Sequence, residues 1–308
     1  MQITKKIQDI LSHYESDNPG TKKNLASILM HGKLAGTGKL LILPVDQGFE
    51  HGPARSFAVN PEAYDPFYHY SLAIEAGLSA YAAPLGMLEA GASTFAGCIP
   101  TILKVNSSNS LAPKSNAPYQ AITASVKDAL RLGCAAIGFT IYPGSDNAYE
   151  MMGEISAMAE EAKSVGLAVV IWSYPRGEDL SKEGETALDI IAYAAHIAAL
   201  IGAHVIKVKP PTNFLENKEA KKIYIEKNIP MESLESRIAH IKQSCFSGKR
   251  LVVFSGGANK SLEDLYSETK SICNGGGDGS IIGRNSFQRP RHEALNMLSE
   301  LIKIYSNN

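Results

Sequence analysis

The chain has 308 residues, of which 44% are hydrophobic and 20% are charged, as is ordinary for a globular protein with a large core. Lys and Arg total 30 against 31 Asp and Glu, so the formal net charge is -1. This balance argues against nucleic acid or an anionic membrane as the main partner, because proteins that bind either carry a surplus of basic residues.

Short and nearly continuous apolar runs recur along the chain, and they predict strands that are buried on both faces of a parallel sheet. The predicted strands are 39–46, 78–84, 100–106, 135–142, 168–175, 204–210, 250–257 and 279–285. Longer helical patterns alternate with these runs. They predict helices over 61–77, 118–133, 148–166, 185–202, 231–245, 261–273 and 291–306.

Eight strands that alternate with helices predict an α/β fold of the TIM (β/α)8 barrel type. An open doubly wound sheet is the alternative, but it normally has a GxGxxG turn after its first strand, and the segment PVDQGFEHGP lacks one. We expect residues 1–38 to form an N-terminal helical extension of one or two helices. Residues 39–308 then form the catalytic barrel.

The active site of such a barrel lies at the carboxyl ends of its strands, so polar residues there are the candidates for function. The first strand leads into Asp46, Gln47, Glu50 and His51, and the third carries Lys104 and Asn106. Later strands end in Tyr142, in Trp172, Tyr174 and Arg176, in Lys207 and Lys209, in Ser255, Gly256 and Gly257, and in Gly283, Arg284 and Asn285.

Two glycine turns favour a phosphorylated ligand. They are Ser255-Gly256-Gly257 after the seventh predicted strand and Gly283-Arg284 after the eighth. Phosphate sites of TIM barrels are often built from these two loops, and glycine lets the backbone approach an anion closely. The alternative interpretation is two ordinary turns and a surface arginine.

Lys207 is the strongest candidate for chemistry, because a lysine in an otherwise apolar strand is costly to bury. Burial lowers the pKa of an amine, and a neutral amine condenses with a carbonyl group to form a Schiff base. Lys209 shares the parity of Lys207, so we expect both side chains on one face of the strand. The alternative is a lysine pair that binds an anion or forms salt bridges to neighbouring carboxylates.

Two further residues are candidates for proton transfer. Tyr174 offers a phenol, although a core tyrosine with a satisfied hydroxyl group is an equal alternative. Asp46 is placed to orient a lysine or to act on substrate protons, and its alternative is a loop or N-cap carboxylate. The eight histidines are scattered and no CxxC pair occurs, so we expect no metal and no cofactor.

The motifs LPVDQGFEHGP, WSYPRG, IKVK, SGG and GRN occur in this order along the chain. Together they resemble the archaeal-type, or DhnA-type, class I fructose-1,6-bisphosphate aldolases over about residues 39–290. The resemblance implies a TIM barrel, a metal-free Schiff-base reaction and a large homo-oligomer. It also implies a phosphorylated sugar as the substrate.

The resemblance assigns roles to individual residues. It implies that Lys207 forms the Schiff base, that Tyr174 is the acid–base group and that Asp46 is catalytic. Substrate-binding residues would be His51, Trp172, Arg176, Ser255, Gly256, Gly257, Gly283 and Arg284. The chain departs from many relatives at Gln47, where those relatives have a histidine, and in the segment VKPPTNF after the lysine. The roles of Lys104 and Lys209 stay open.

Three alternatives to this activity remain. A related Schiff-base aldolase, transaldolase or thiolase of the same family would use Lys207 on another phosphorylated sugar or ketone. A phosphate-binding barrel isomerase would use no covalent lysine, and a non-enzymatic barrel would serve assembly or surface binding. The N-terminus lacks the apolar segment of a secretory signal, and the four cysteines are isolated, so we expect a cytoplasmic protein.

Overall fold

A computed structural model describes residues 2–113, 115–256 and 261–307, and its centre is a closed barrel of eight parallel strands. The strands are β1 Leu40–Pro44, β2 Ala80–Pro84, β3 Thr101–Lys104, β4 Ala136–Ile141, β5 Ala168–Ser173, β6 Val205–Val208, β7 Leu251–Ser255 and β8 Gly279–Ile281. They follow one another around the barrel in chain order, and β8 pairs with β1. Each strand lies inside its predicted range, so the predicted TIM barrel is confirmed.

Helices surround the barrel. They are α1 Lys5–Ser12, α2 Pro19–Leu29, α3 Gln47–His51, α4 Pro53–Phe57, α5 Pro66–Ala76, α6 Leu85–Gly91, α7 Val126–Arg131, α8 Ala148–Ser164, α9 Leu188–Ile201, α10 Lys218–Glu226, α11 Leu234–Ser244, α12 Leu262–Asn274, α13 Arg284–Phe287 and α14 Arg291–Ser306. Short 3-10 helices cover Pro61–Tyr64 and Gly184–Thr186. Within the described ranges, no helix is both long and apolar enough to cross a membrane.

The helix predicted over 118–133 is wrong in its first half. Residues Ala121–Ile122 instead pair with Asn106–Ser107 in a two-stranded antiparallel sheet beside the barrel mouth. The helix begins only at α7, because Ser125 caps its N-terminus and forms a reciprocal capping box with Asp128. This hairpin holds Gln120 against Tyr142 of the fourth predicted strand, a contact that the strand pattern alone does not reveal.

The barrel interior is apolar at the bottom and polar at the top. Side chains on alternate positions of a strand share a face, so Val205 and Lys207 both point inward. The lower layers include Val205 and the fully buried Ile7 and Leu25 of α1 and α2, which belong to one apolar cluster with the strands. The division into an extension of 1–38 and a barrel of 39–308 remains a proposal.

Candidate active site

A cavity of about 410 Å³ opens at the carboxyl ends of the barrel strands. It is lined by Asp46, Gln47, Glu50, His51, Trp172, Tyr174, Arg176, Lys182, Glu185, Lys207, Lys209, Ser255, Gly256, Ile281, Gly283, Arg284 and Asn285. The catalytic and substrate-binding residues implied by the resemblance all line this cavity except Gly257, whereas the strand-end candidates Lys104, Asn106 and Tyr142 do not line it. That glycine lies outside the described residues, and the chemical roles assigned to the others stay predictions.

Lys207 projects from β6 into this cavity and is only 6% exposed. Its Nζ lies 5.8 Å from the ring centroid of Trp172 and 5.6 Å from that of Tyr174. No described residue forms a hydrogen bond with the ammonium group. Burial lowers the pKa of Lys207 from 10.5 to about 8, although the carboxylates of Asp46 and Glu50 act in the opposite direction. The amine is therefore far more nucleophilic at neutral pH than that of an exposed lysine.

The indole of Trp172 forms one wall beside Lys207 and is itself 2% exposed. It fits there because its neighbour on β4 is Gly138, where a Cβ atom would lie 2.3 Å from Trp172 Cζ3. The indole Nε1 is buried and has no hydrogen-bond partner within the described part of the chain. A buried donor without a partner is costly, so this N–H is available to a polar group of a ligand.

Tyr174 follows β5, and its ring flanks the amine of Lys207. Burial raises the pKa of the Tyr174 phenol well above its usual range, and the negative charges of Asp46 and Glu50 raise it further. The phenol is therefore fully protonated at neutral pH. The centroid of this ring lies 5.6 Å from the Lys207 Nζ, and the role of Tyr174 as a proton donor stays a prediction.

The segment after β1 supplies acidic groups. Asp46 precedes the short helix α3, and Glu50 and His51 lie within it. Burial raises the pKa of Glu50, and the charge of Asp46 adds to this effect. Burial also lowers the pKa of His51, and neighbouring arginines, Arg55 first, act in the same direction. Neutral His51 can therefore donate or accept a hydrogen bond.

The described residues of the two glycine turns, Ser255, Gly256, Gly283 and Arg284, line another side of the cavity. Gly283 packs so closely against β1 that a Cβ atom would lie 2.8 Å from the carbonyl oxygen of Pro44. The Ser255 hydroxyl is buried and has no hydrogen-bond partner among the described residues. With Arg284 beside it in the cavity lining, this region offers a cation and an unpaired hydroxyl group to an anion.

The structure places Lys207, on β6, and Lys209, just after β6, in different environments. Lys209 Nζ lies 3.0 Å from Glu185 Oε2, and Glu185 also pairs with Lys182 at 2.9 Å. Lys209 is therefore a salt-bridged lysine, whereas Lys207 is not. The third interior lysine, Lys104, donates hydrogen bonds to the backbone oxygen and, at 3.1 Å, to the side-chain oxygen of Asn106.

Several cavity residues were given no specific chemical role from the sequence. The sequence places Glu50 and Gln47 after the first strand but offers no reason to prefer them to their neighbours. Lys182 and Glu185 lie between β5 and α9, several residues beyond the end of the strand. Their position in the sequence therefore does not mark them as site residues. Across the described ranges, no three His, Cys, Asp or Glu side chains cluster closely enough to hold a metal ion.

Comparisons with known proteins show the family to which the chain belongs. A family profile described as DeoC/LacD family aldolase matches residues 40–289. The chain is 34% identical over 306 residues to a probable fructose-bisphosphate aldolase class 1 of Chlamydia muridarum, which covers 94% of this chain and 86% of that protein. It is also 34% identical over 253 residues to a fructose-bisphosphate aldolase class 1 of Thermoproteus tenax, covering 82% and 84%.

Solved structures give the same result. The crystal structure of an archaeal fructose 1,6-bisphosphate aldolase matches with a TM-score of 0.77 and 31% identity, over 92% of this chain and 99% of that one. A Schiff-base-forming fructose-1,6-bisphosphate aldolase matches with a TM-score of 0.75 and 30% identity, over 91% and 98%. The profile covers well over half of the chain, and the relatives match along most of its length. The chain therefore belongs to the DeoC/LacD family of aldolases.

Proposed function

We propose that the chain is a lyase, a class I fructose-bisphosphate aldolase that reversibly cleaves fructose 1,6-bisphosphate into dihydroxyacetone phosphate and glyceraldehyde 3-phosphate. The names of its relatives support this activity. The observation that carries this proposal is the buried amine of Lys207, which lies beside the rings of Trp172 and Tyr174. The pKa of this amine is lowered to about 8. A buried lysine of this kind is the nucleophile that a Schiff-base aldolase requires.

The order of groups around the barrel matches the order of groups along the sugar. The glycine turns follow β7 and β8, Lys207 lies on the adjacent β6, and Arg176 follows β5. A phosphate at C1 would rest at the turns, the ketone at C2 would face Lys207, and the distal phosphate would lie toward Arg176. This order supports a bisphosphorylated ketose as the substrate.

The reaction then follows from imine chemistry. The Lys207 amine adds to the C2 ketone to form a carbinolamine, and loss of water gives a protonated imine. A base takes the proton of the C4 hydroxyl, the C3–C4 bond breaks, and its electron pair moves into the imine to form an enamine. Glyceraldehyde 3-phosphate leaves. Protonation of the enamine at C3 and hydrolysis release dihydroxyacetone phosphate and regenerate Lys207.

Tyr174 would supply the proton that leaves with the carbinolamine hydroxyl, because its phenol is protonated at neutral pH and its ring flanks the Lys207 amine. Asp46 and Glu50 would stabilise the positive charge that Lys207 carries as ammonium and as imine. Both carboxylates line the cavity, so either can face the C4 hydroxyl. The resemblance also supports a cytoplasmic homo-oligomer that works in glycolysis or gluconeogenesis, and sedimentation of the purified protein tests the assembly.

The test is a product analysis with fructose 1,6-bisphosphate in the presence of EDTA. We expect both triose phosphates in equal amounts and unchanged turnover on chelation, because imine formation needs only the amine. Turnover that is lost with EDTA and restored by zinc would contradict the proposal. An isomerised six-carbon product without trioses would favour the isomerase, and cleavage of only a different sugar phosphate would favour a related Schiff-base enzyme.

A further inference from the structure

A chain of buried polar side chains runs from the barrel interior to the cavity wall. Lys104 Nζ lies 3.5 Å from the Gln120 side-chain oxygen, and Gln120 Nε2 donates a hydrogen bond to the Tyr142 hydroxyl at 2.5 Å. Arg176 Nη1 then donates to the same hydroxyl at 3.3 Å. Lys104, Gln120 and Tyr142 are 2%, 0% and 1% exposed. Three buried polar residues thus connect the barrel interior to one arginine of the cavity.

The chemistry of the donors and acceptors fixes the orientation of each side chain in this hydrogen-bond chain. The ammonium of Lys104 can only donate, so it requires the oxygen of Gln120 to face it. The amide nitrogen of Gln120 must then face Tyr142, and the phenol oxygen accepts from it. That oxygen accepts again from Arg176, so the guanidinium is directed to one point.

Arg176 is held on a second side as well. Its guanidinium carbon lies 4.7 Å from the centroid of the Tyr142 ring, within the range of a cation–π contact. Among the described residues, no carboxylate forms an ion pair with Arg176. A guanidinium carries five N–H donors in a rigid plane, and only one of them is used by Tyr142. No other described residue accepts a hydrogen bond from this guanidinium, so its remaining donors can bind a phosphate, and Tyr142 sets the plane in which they lie.

We propose that Tyr142, fixed by Gln120 and Lys104, is a positioning residue that orients Arg176 toward the distal phosphate and so sets the preference for a bisphosphate over a monophosphate. This inference rests on the proposed function and deepens it. The sequence marks Tyr142 only as a strand end, and Gln120 becomes visible only through the unpredicted hairpin.

The experiment compares Tyr142→Phe with the wild type on fructose 1,6-bisphosphate and on fructose 1-phosphate, which lacks the distal phosphate. Loss of a hydrogen bond to a charged group should lower kcat/KM for the bisphosphate about tenfold. The loss should appear as a higher KM with an unchanged kcat, because the contact with the distal phosphate is weakened equally in the substrate complex and in the transition state. The monophosphate should be cleaved almost as before. Tyr70→Phe is the matched control, since the Tyr70 hydroxyl donates only to the backbone oxygen of Leu88, away from the cavity.

A double-mutant cycle identifies the route of the effect. In an Arg176→Ala background, Tyr142→Phe should leave the ratio of the two substrates unchanged, because the group it positions is absent. A further loss there, or an equal loss on both substrates in the single variant, would overturn the proposal. If Tyr142→Phe does not melt cooperatively, Gln120→Met tests the same chain, and an unchanged substrate ratio in it overturns the proposal. A wild type that cleaves neither sugar refutes the proposed function itself.

Discussion

The lowered pKa of Lys207 predicts when the amine becomes reactive. Burial brings its pKa from 10.5 to about 8, so roughly one-tenth of the amine is neutral at pH 7 and about half at pH 8. An ordinary lysine would be neutral to only about 3% even at pH 9. The initial rate of imine formation with dihydroxyacetone phosphate should therefore rise about tenfold per pH unit below pH 8 and level off above it.

A two-step mixing assay measures this rate. Protein and dihydroxyacetone phosphate react briefly at each pH from 6 to 10, and borohydride is then added at one common pH. Intact mass gives the trapped fraction, so the reduction step is the same in every sample. A midpoint near 8 agrees with the structure. A midpoint near 10.5 would refute the reasoning, because it would mean that burial does not control Lys207.

Two variants test the charges around the amine. The positive charge of Lys104 lowers the pKa of Lys207, and the negative charge of Glu50 raises it. Lys104→Met should therefore move the midpoint to higher pH, and Glu50→Gln should move it to lower pH. Shifts in the same direction would contradict this electrostatic explanation and point to a general loss of structure.

Two further predictions concern the walls of the cavity. Tyr174→Phe removes only the hydroxyl, so single-turnover cleavage should fall about 10²- to 10⁴-fold while substrate affinity changes little; near-normal cleavage would exclude Tyr174 from proton transfer. Gly138→Ala places a Cβ atom 2.3 Å from the Trp172 ring, so its free energy of unfolding should fall by about 1–3 kcal/mol. The matched control Gly153→Ala in α8 has open space around the new methyl group and should not be destabilised; equal denaturation curves for the two variants would contradict the packing argument.

The fold could be predicted from the sequence because strands buried on both faces have a recognisable sequence pattern. Their apolar runs recur eight times, and glycines such as Gly202 mark the ends of helices between them. The hairpin of Asn106–Ser107 and Ala121–Ile122 could not be predicted this way. Each of its strands has only two residues, so no alternation develops. In the structure the Ser125–Asp128 capping box marks where the following helix begins, and the prediction of a helix from residue 118 did not use it.

Candidate site residues could be predicted where a charged side chain occurs in a segment that is otherwise apolar and buried. Lys207 stands out because a charged side chain interrupts an apolar strand, and the glycine turns stand out because of their position. Glu185 has no such signal, since it begins the helix predicted over 185–202 and an acidic residue in the first turn of a helix is ordinary. The sequence also could not distinguish Lys207 from Lys209 by residue type. Only the structure shows that Lys209 pairs with Glu185.

The central claim is that Lys207 is the nucleophile, and adduct mapping tests it most directly. Wild type, Lys207→Ala and Lys209→Ala are treated with dihydroxyacetone phosphate and borohydride, and the modified peptide is located by mass. Lys209→Ala is the matched control, because it removes the neighbouring lysine just after β6. We predict one adduct on Lys207 in the wild type and in Lys209→Ala, and none in Lys207→Ala. An adduct located on Lys209 or Lys104 would contradict the account.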